Sequence, residues 1–211
     1  EQFVLEGKIK INNEIVKDLS AKVNPEVDKV YFKGKEINKT RNQEIIIMLN
    51  KPVGYTCTTR RFKNEKNVLD LVRIKERVYP VGRLDKDSSG LILLTNDGNF
   101  ALKLTHPRYE KEKEYEVEVD RKIDSAFLRQ LSQGVRLAEG MTLPTQVNEI
   151  DDKNFSIILK QGMNRQIRKM CAFLGFRVKK LHRVRINKLR LENLPIGEYK
   201  ILSDEEQKKL A

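Results

Sequence analysis

Apolar and polar positions alternate strictly over Tyr115-Glu-Val-Glu-Val119, which predicts a strand with one face in a core. Uninterrupted apolar runs over Glu44-Ile-Ile-Ile-Met-Leu49 and Gly90-Leu-Ile-Leu-Leu-Thr95 are strand-sized and predict buried strands, and Phe155-Ser-Ile-Ile-Leu159 predicts another. Elsewhere the spacing turns helical. A helix is expected over 98–104, ending before Pro107, and a shorter one over 67–74. Asp124 can cap a helix to Gln133 with Gly134 at its far end, and Asn164 can cap one to Leu174 closed by Gly175. Ser203-Asp-Glu-Glu206 is a capping box for a final short helix, and 178–191 reads as extended chain.

The first 43 residues read as a unit of their own. Gly7-Lys-Ile-Lys-Ile-Asn-Asn-Glu-Ile-Val16 predicts strand, turn, strand about Asn12-Asn13, and Val30-Tyr-Phe-Lys-Gly-Lys-Glu-Ile37 a further strand turning at Gly34. The polar stretch 38–43 is the expected linker to a second unit, 44–211, which Lys51-Pro-Val-Gly54 interrupts with a loop. Strands mixed with helices, without regular βαβ alternation, place the chain in the α+β class.

Charge sharpens this division. The net charge of the 211 residues is +12, yet residues 1–45 hold nine Lys/Arg against eight Asp/Glu, and 160–190 hold eleven Lys/Arg with no acidic residue. A one-sign segment inside a folded domain calls for a counter-charge, and RNA phosphate supplies one; a merely solubilising surface is the plain alternative. No apolar run approaches the roughly 20 residues of a membrane span, and the amino terminus lacks a signal pattern. A soluble cytoplasmic protein is expected. Cys57 and Cys171 form no metal-spaced pair and read as core thiols.

The segment with chemical potential is Val81-Gly-Arg-Leu-Asp-Lys-Asp-Ser-Ser-Gly90, a polar loop feeding an apolar strand. Asp85 and Asp87 can be a carboxylate pair, Asp85 can act alone, or both can be turn aspartates bonding their own backbone. In Gln161-Gly-Met-Asn-Arg-Gln-Ile-Arg-Lys-Met-Cys171, Arg165 and Arg168 share a face of the predicted helix, where either can grip a carboxylate or a phosphate.

Gly82-Arg-Leu-Asp85 followed by Ser88-Ser-Gly-Leu-Ile-Leu-Leu-Thr-Asn-Asp-Gly98 resembles the catalytic motif of the RNA pseudouridine synthases. Lys51-Pro-Val-Gly54, Lys113-Glu-Tyr115 and Asn164-Arg-Gln-Ile-Arg168 resemble further motifs of that family, in its order. The branch is the RsuA/RluB/RluE/RluF family acting on ribosomal RNA, with the segments after Lys51 and Asn164 most like the RluF type. The resemblance spans about residues 44–206. Residues 1–43 resemble the later part of an S4-like RNA-binding domain through Glu6-Gly-Lys-Ile-Lys-Ile-Asn-Asn13, its leading helix being absent.

The resemblance implies a mixed, largely antiparallel central sheet with flanking helices and no cofactor or metal. It makes Asp85 the carboxylate acting at the ribose of a flipped uridine, by attack at C1′ or by proton removal at C2′. Arg168 would ion-pair Asp85, Tyr115 would lie beneath the base, Ile167 would wall the pocket, and Arg83 would fill the gap the base leaves. Arg165, Lys179, Lys180 and Arg183 are expected on phosphate, Lys51 on phosphate or in a structural role, and Asp87 in a turn. The expected partner of this monomer is ribosomal RNA, a large-subunit stem-loop in particular, with transfer RNA as an open target and no membrane. The competing reading is an RNA-binding assembly factor without activity. A methyltransferase would call for a glycine-rich donor loop after a strand, which is missing, and a glycosidase fits the basic balance poorly.

Overall fold

The computed structural model describes residues 1–24, 26–37 and 44–210, the side chain of Pro107 excepted. The chain divides into two compact units, Glu1–Gln43 and Glu44–Ala211. The stretch read as a linker, 38–43, lies outside the described residues.

In the smaller unit, Ile9–Ile11 pairs with Glu14–Val16 about a turn in which Asn12 takes a positive φ of 54°. The first of these strands also pairs with Val30–Phe32, which hairpins to Lys35–Glu36 through Lys33-Gly34. A short helix, Gln2–Leu5, precedes the sheet and packs Phe3 on Phe32 at 4.9 Å between ring centres. The sequence reading had no helix there. None of the unit's described residues is fully buried.

The larger unit is built on one nine-stranded sheet. Its strands are β1 (Ile46–Lys51), β2 (Tyr79–Val81), β3 (Ser89–Thr95), β4 (Lys113–Val119), β5 (Gln146–Asp151), β6 (Asn154–Leu159), β7 (Val178–Ile186), β8 (Leu189–Arg190) and β9 (Tyr199–Ile201). The spatial order is β5-β6-β4-β7-β3-β1-β9, with β8 beside β7 and β2 beside β3. Every pairing is antiparallel except β7 with β3, which joins the two halves of the sheet in parallel. The sheet is therefore mixed and largely antiparallel, as the family resemblance implies.

The apolar runs have a simple origin. Met48, Leu91 and Leu93 face one core while Ile47, Leu49, Ile92 and Leu94 face another, so β1 and β3 are buried on both sides and need no polar face. Each such side chain contributes about 1.5–3 kcal/mol on burial. In the other half, α2 (Ser125–Gln133) and α3 (Gln166–Phe173) lay Phe127, Leu131, Ile167 and Met170 on Val117, Phe155 and Ile157, which gives β4 and β6 their alternation.

Helix ends follow their side chains. Asp97 caps α1 (Gly98–Thr105), and Asp124 caps α2 through the Phe127 N–H at 2.7 Å. Ser203 and Glu206 form the capping box of the last helix, Asp204–Lys208. Two expectations change. The helix expected over 67–74 shrinks to one 3-10 turn, Val68–Asp70, because Asn67 and Asp70 close a capping box over a single turn. The helix expected from Asn164 starts later, with Arg165 at its N-cap in the left-handed region (φ 52°, ψ 36°).

Candidate active site

The loop between β2 and β3 carries the motif, and the chain beneath holds it rigidly. The Ser88 N–H donates to the Asp85 carbonyl at 3.1 Å, closing a turn over 85–88, and Gly54 N–H donates to the Lys86 carbonyl at 2.7 Å. Lys51 lies under this turn. Its ammonium donates to the carbonyls of Ser88 (2.6 Å) and Pro52 (3.0 Å), and the residue is 0 % exposed. Burial lowers its pKa. The phosphate contact considered for Lys51 is thereby corrected: the side chain is enclosed and two of its three donors are used on the loop.

Asp85 projects from this turn into a cleft of about 450 Å³. Arg83, Lys113, Tyr115, Arg165, Ile167 and Arg183 line the same cleft. Its walls come from β4 and β7, the start of α3 and the motif loop, so residues more than 80 positions apart in the chain converge. Ile167 is buried at the helix start, Tyr115 is half-buried, and Arg83 is exposed at the rim.

The arginines arrange themselves differently from expectation. Arg165 grips Asp87 in a two-pronged fork, Nη1 to Oδ1 at 3.0 Å and Nη2 to Oδ2 at 2.8 Å, and reaches Asp85 only at 3.5 Å. Arg168 places Nε 3.4 Å from Asp87 Oδ2 and donates Nη2 to the Asp87 carbonyl at 2.9 Å, with Nη1 on the Val178 carbonyl at 3.3 Å. The expected Asp85–Arg168 ion pair is thus replaced by an Asp87–Arg168 pair. The cause is local. Arg168 is held by two backbone carbonyls, and the left-handed backbone at Arg165 swings that side chain to the carboxylates. The Arg165 fork holds the Asp87 carboxyl below the usual range, with the Arg168 charge acting in the same direction.

Asp87, read as a turn residue, is therefore the hub of two arginines. Its own stretch of sequence could not reveal this, because the partners lie 78 and 81 positions away. Arg183, expected on phosphate together with Lys179 and Lys180, turns inward instead. It is 5 % exposed, and its Nε donates to the Leu91 carbonyl at 2.7 Å. Lys179 and Lys180 are exposed on β7 outside the cleft, Lys180 pairing with Glu118 at 2.6 Å. On the far side of Asp87, Arg121, Arg165, Arg168 and Arg177 border a second groove of about 550 Å³ with Phe176.

Gly90 lets the site assemble. It pairs with Arg183 across the parallel β3–β7 junction, at a φ of 105°, and a Cβ there would collide with the carbonyl oxygen and amide nitrogen of Arg183. Among the described residues no cluster of His, Cys, Asp and Glu could hold a metal ion, and no helix is long and apolar enough to cross a membrane.

Residues 45–173 match the model of a family described as RNA pseudouridylate synthase. The dual-specificity RNA pseudouridine synthase RluF of Escherichia coli (strain K12) is 38% identical over 207 residues, covering 98% of this chain and 70% of that protein. The ribosomal large subunit pseudouridine synthase B of Bacillus subtilis (strain 168) is 38% identical over 217 residues, covering 100% and 88%. A crystal structure of a pseudouridylate synthase superposes with a TM-score of 0.77 at 30% identity, covering 100% of this chain and 91% of that one.

Proposed function

The chain belongs to the RNA pseudouridylate synthase family, and from that premise we propose that it converts a uridine of ribosomal RNA to pseudouridine, with a large-subunit stem-loop as the segment it grips. The observation that carries this reading is the meeting of Asp85, Tyr115 and Ile167 in one cleft.

The reaction is an isomerisation. The N1–C1′ bond breaks, a C5–C1′ bond forms, and a proton leaves C5 while one arrives at N1. Atoms and electrons balance within the substrate, so the chain's own side chains suffice. A stacked base cannot reach Asp85, and flipping it out costs a few kcal/mol, recovered in the pocket. Tyr115 supplies a stacking face, and its hydroxyl can carry the C5 proton. Ile167 closes the opposite wall, and Arg83 at the rim fills the space the base vacates. The Asp85 carboxylate attacks C1′ or removes the C2′ proton, and either route leaves the bonding pair on uracil.

Arg168 and Arg165 act through Asp87 in this scheme, fixing the loop that carries Asp85. Lys179 and Lys180 contact RNA phosphates, and the unit of residues 1–43 docks RNA in the manner of an S4-like domain. The protein works as a cytoplasmic monomer.

The test is tritium release from C5-labelled uridine in ribosomal RNA. The wild type releases label and Asp85→Asn does not, while both bind RNA. Wild-type binding without release would instead make the protein an assembly factor.

A further inference from the structure

Two cations in the cleft have no part in the scheme above. Lys113 opens β4 two residues before Tyr115, so both side chains leave the same face of the strand. It lines the cleft, and the charge bearing on its ammonium is that of Arg183, a like charge. Burial first and then that repulsion bring its pKa down to about 8.

Arg183 reaches the same wall through a bulge. Along β4 and β7, Glu114 pairs with Arg185 but Tyr115 pairs with Arg183, so Val184 is passed over and the arginine comes beside the tyrosine. Its guanidinium carbon lies 6.0 Å from the Tyr115 ring centre. One prong is used on the Leu91 carbonyl, and Nη2 is buried without a partner. An unmet buried donor is costly, and a ligand oxygen would relieve it.

We infer that Lys113 and Arg183 form a donor-only wall that reads the C4 carbonyl of the flipped uracil and turns cytosine away. This rests on the proposal that the base lies against Tyr115. Protonated lysine and arginine side chains donate hydrogen bonds and do not accept them. Uracil offers an oxygen at C4, whereas cytosine offers an amino group there, which would face donors with donors. The nearby Gln166 amide cannot compensate, because its Oε1 accepts from the Met163 N–H at 3.1 Å and its Nε2 turns to the Met170 sulfur. The same positive wall offsets the electron pair that uracil carries once N1–C1′ has broken.

The experiment compares binding of two stem-loop RNAs identical except for uridine or cytidine at the mapped target position. The wild type prefers the uridine RNA by about tenfold or more, the worth of one charge-assisted hydrogen bond. Lys113→Gln, whose amide can accept from the cytosine amino group, brings the two affinities together, and Lys113→Arg restores the preference. A structural role for Lys113 would lower both affinities alike. An unchanged ratio in folded Lys113→Gln, or no preference in the wild type, overturns the inference. Absence of tritium release by the wild type would instead overturn the enzymatic reading.

Discussion

Arg165 holds Asp87 by both oxygens, at 3.0 and 2.8 Å, and leaves Asp85 with a single 3.5 Å contact. The carboxylate proposed to act at the ribose is thereby kept available, while its neighbour two residues on anchors the helix to the loop. Asp87→Asn should keep RNA affinity and lower the single-turnover rate about tenfold, as two charge-assisted bonds weaken together. Rapid-quench measurement of pseudouridine formation checks this; an unchanged rate would make the fork decorative. Because the folded state depresses the Asp87 pKa, its contribution to stability is present above the ordinary carboxylate value of about 3.9 and fades as pH falls below it. Acid melts of Asp87→Asn should therefore show a shallower loss of stability than the wild type.

Lys51→Met should lower the melting temperature by about 2–8 °C, since one buried and one part-buried carbonyl lose their donor. The salt dependence of RNA affinity should stay the same, because an enclosed ammonium releases no counterion from RNA. A slope reduced by about one unit would return Lys51 to the phosphate contacts.

Gly90→Ala tests the close approach of β3 to β7. The positive φ alone costs about 1–3 kcal/mol for a residue with a side chain, and the Arg183 backbone blocks the methyl. A melting temperature lowered by about 4 °C or more is expected from calorimetry, with activity lost along with it.

Lys113 ties activity to alkaline pH. Raising pH through about 8 removes its proton, so turnover of uridine RNA should fall there, with Arg83, Arg165, Arg183, Asp85 and Tyr115 as the other ionisable groups on the cleft. Lys113→Arg should move that decline upward. The stability effect has the opposite sense. The folded pKa lies below the unfolded value of about 10.4, so the unfolded chain binds more protons between about 8 and 10.4, and stability rises with pH across that window. Lys113→Met should abolish the rise.

Salt titration separates the basic residues of β7. Lys179→Gln should reduce the slope of log affinity against log salt by about 0.9. Lys180→Gln should change it less, because Glu118 already neutralises that side chain. Equal slopes for wild type and Lys179→Gln would place the RNA away from this edge of the sheet.

Much of this molecule was readable along the chain. The alternation at Tyr115 to Val119 and the capping residues Asp124 and Ser203 report local physics, which each segment carries itself. Asp85 and Tyr115 could be named because the segments around them resemble motifs of the synthase family; their spacing alone left other readings open. What escaped depends on distant partners. Arg183 looks like one more cation in a basic stretch, and only its pairing with Gly90 and the bulge beside Tyr115 turn it inward. The exchange of Asp85 for Asp87 as the partner of Arg168 was hidden for the same reason, since it follows from two carbonyls and one left-handed residue. The edge strands β5 and β9 were missed because β5 is mostly exposed and β9 spans only three residues, so neither gives a clear apolar pattern.

The parallel contact of β3 with β7 divides labour as well as strands. On one side hang the loop and carboxylate proposed to address the sugar; on the other stand the tyrosine and cations proposed to address the ring. A chimera that keeps one side from this chain and takes the other from a relative would inherit its bond-breaking group and its choice of nucleobase from different parents, provided the glycine at the join is retained.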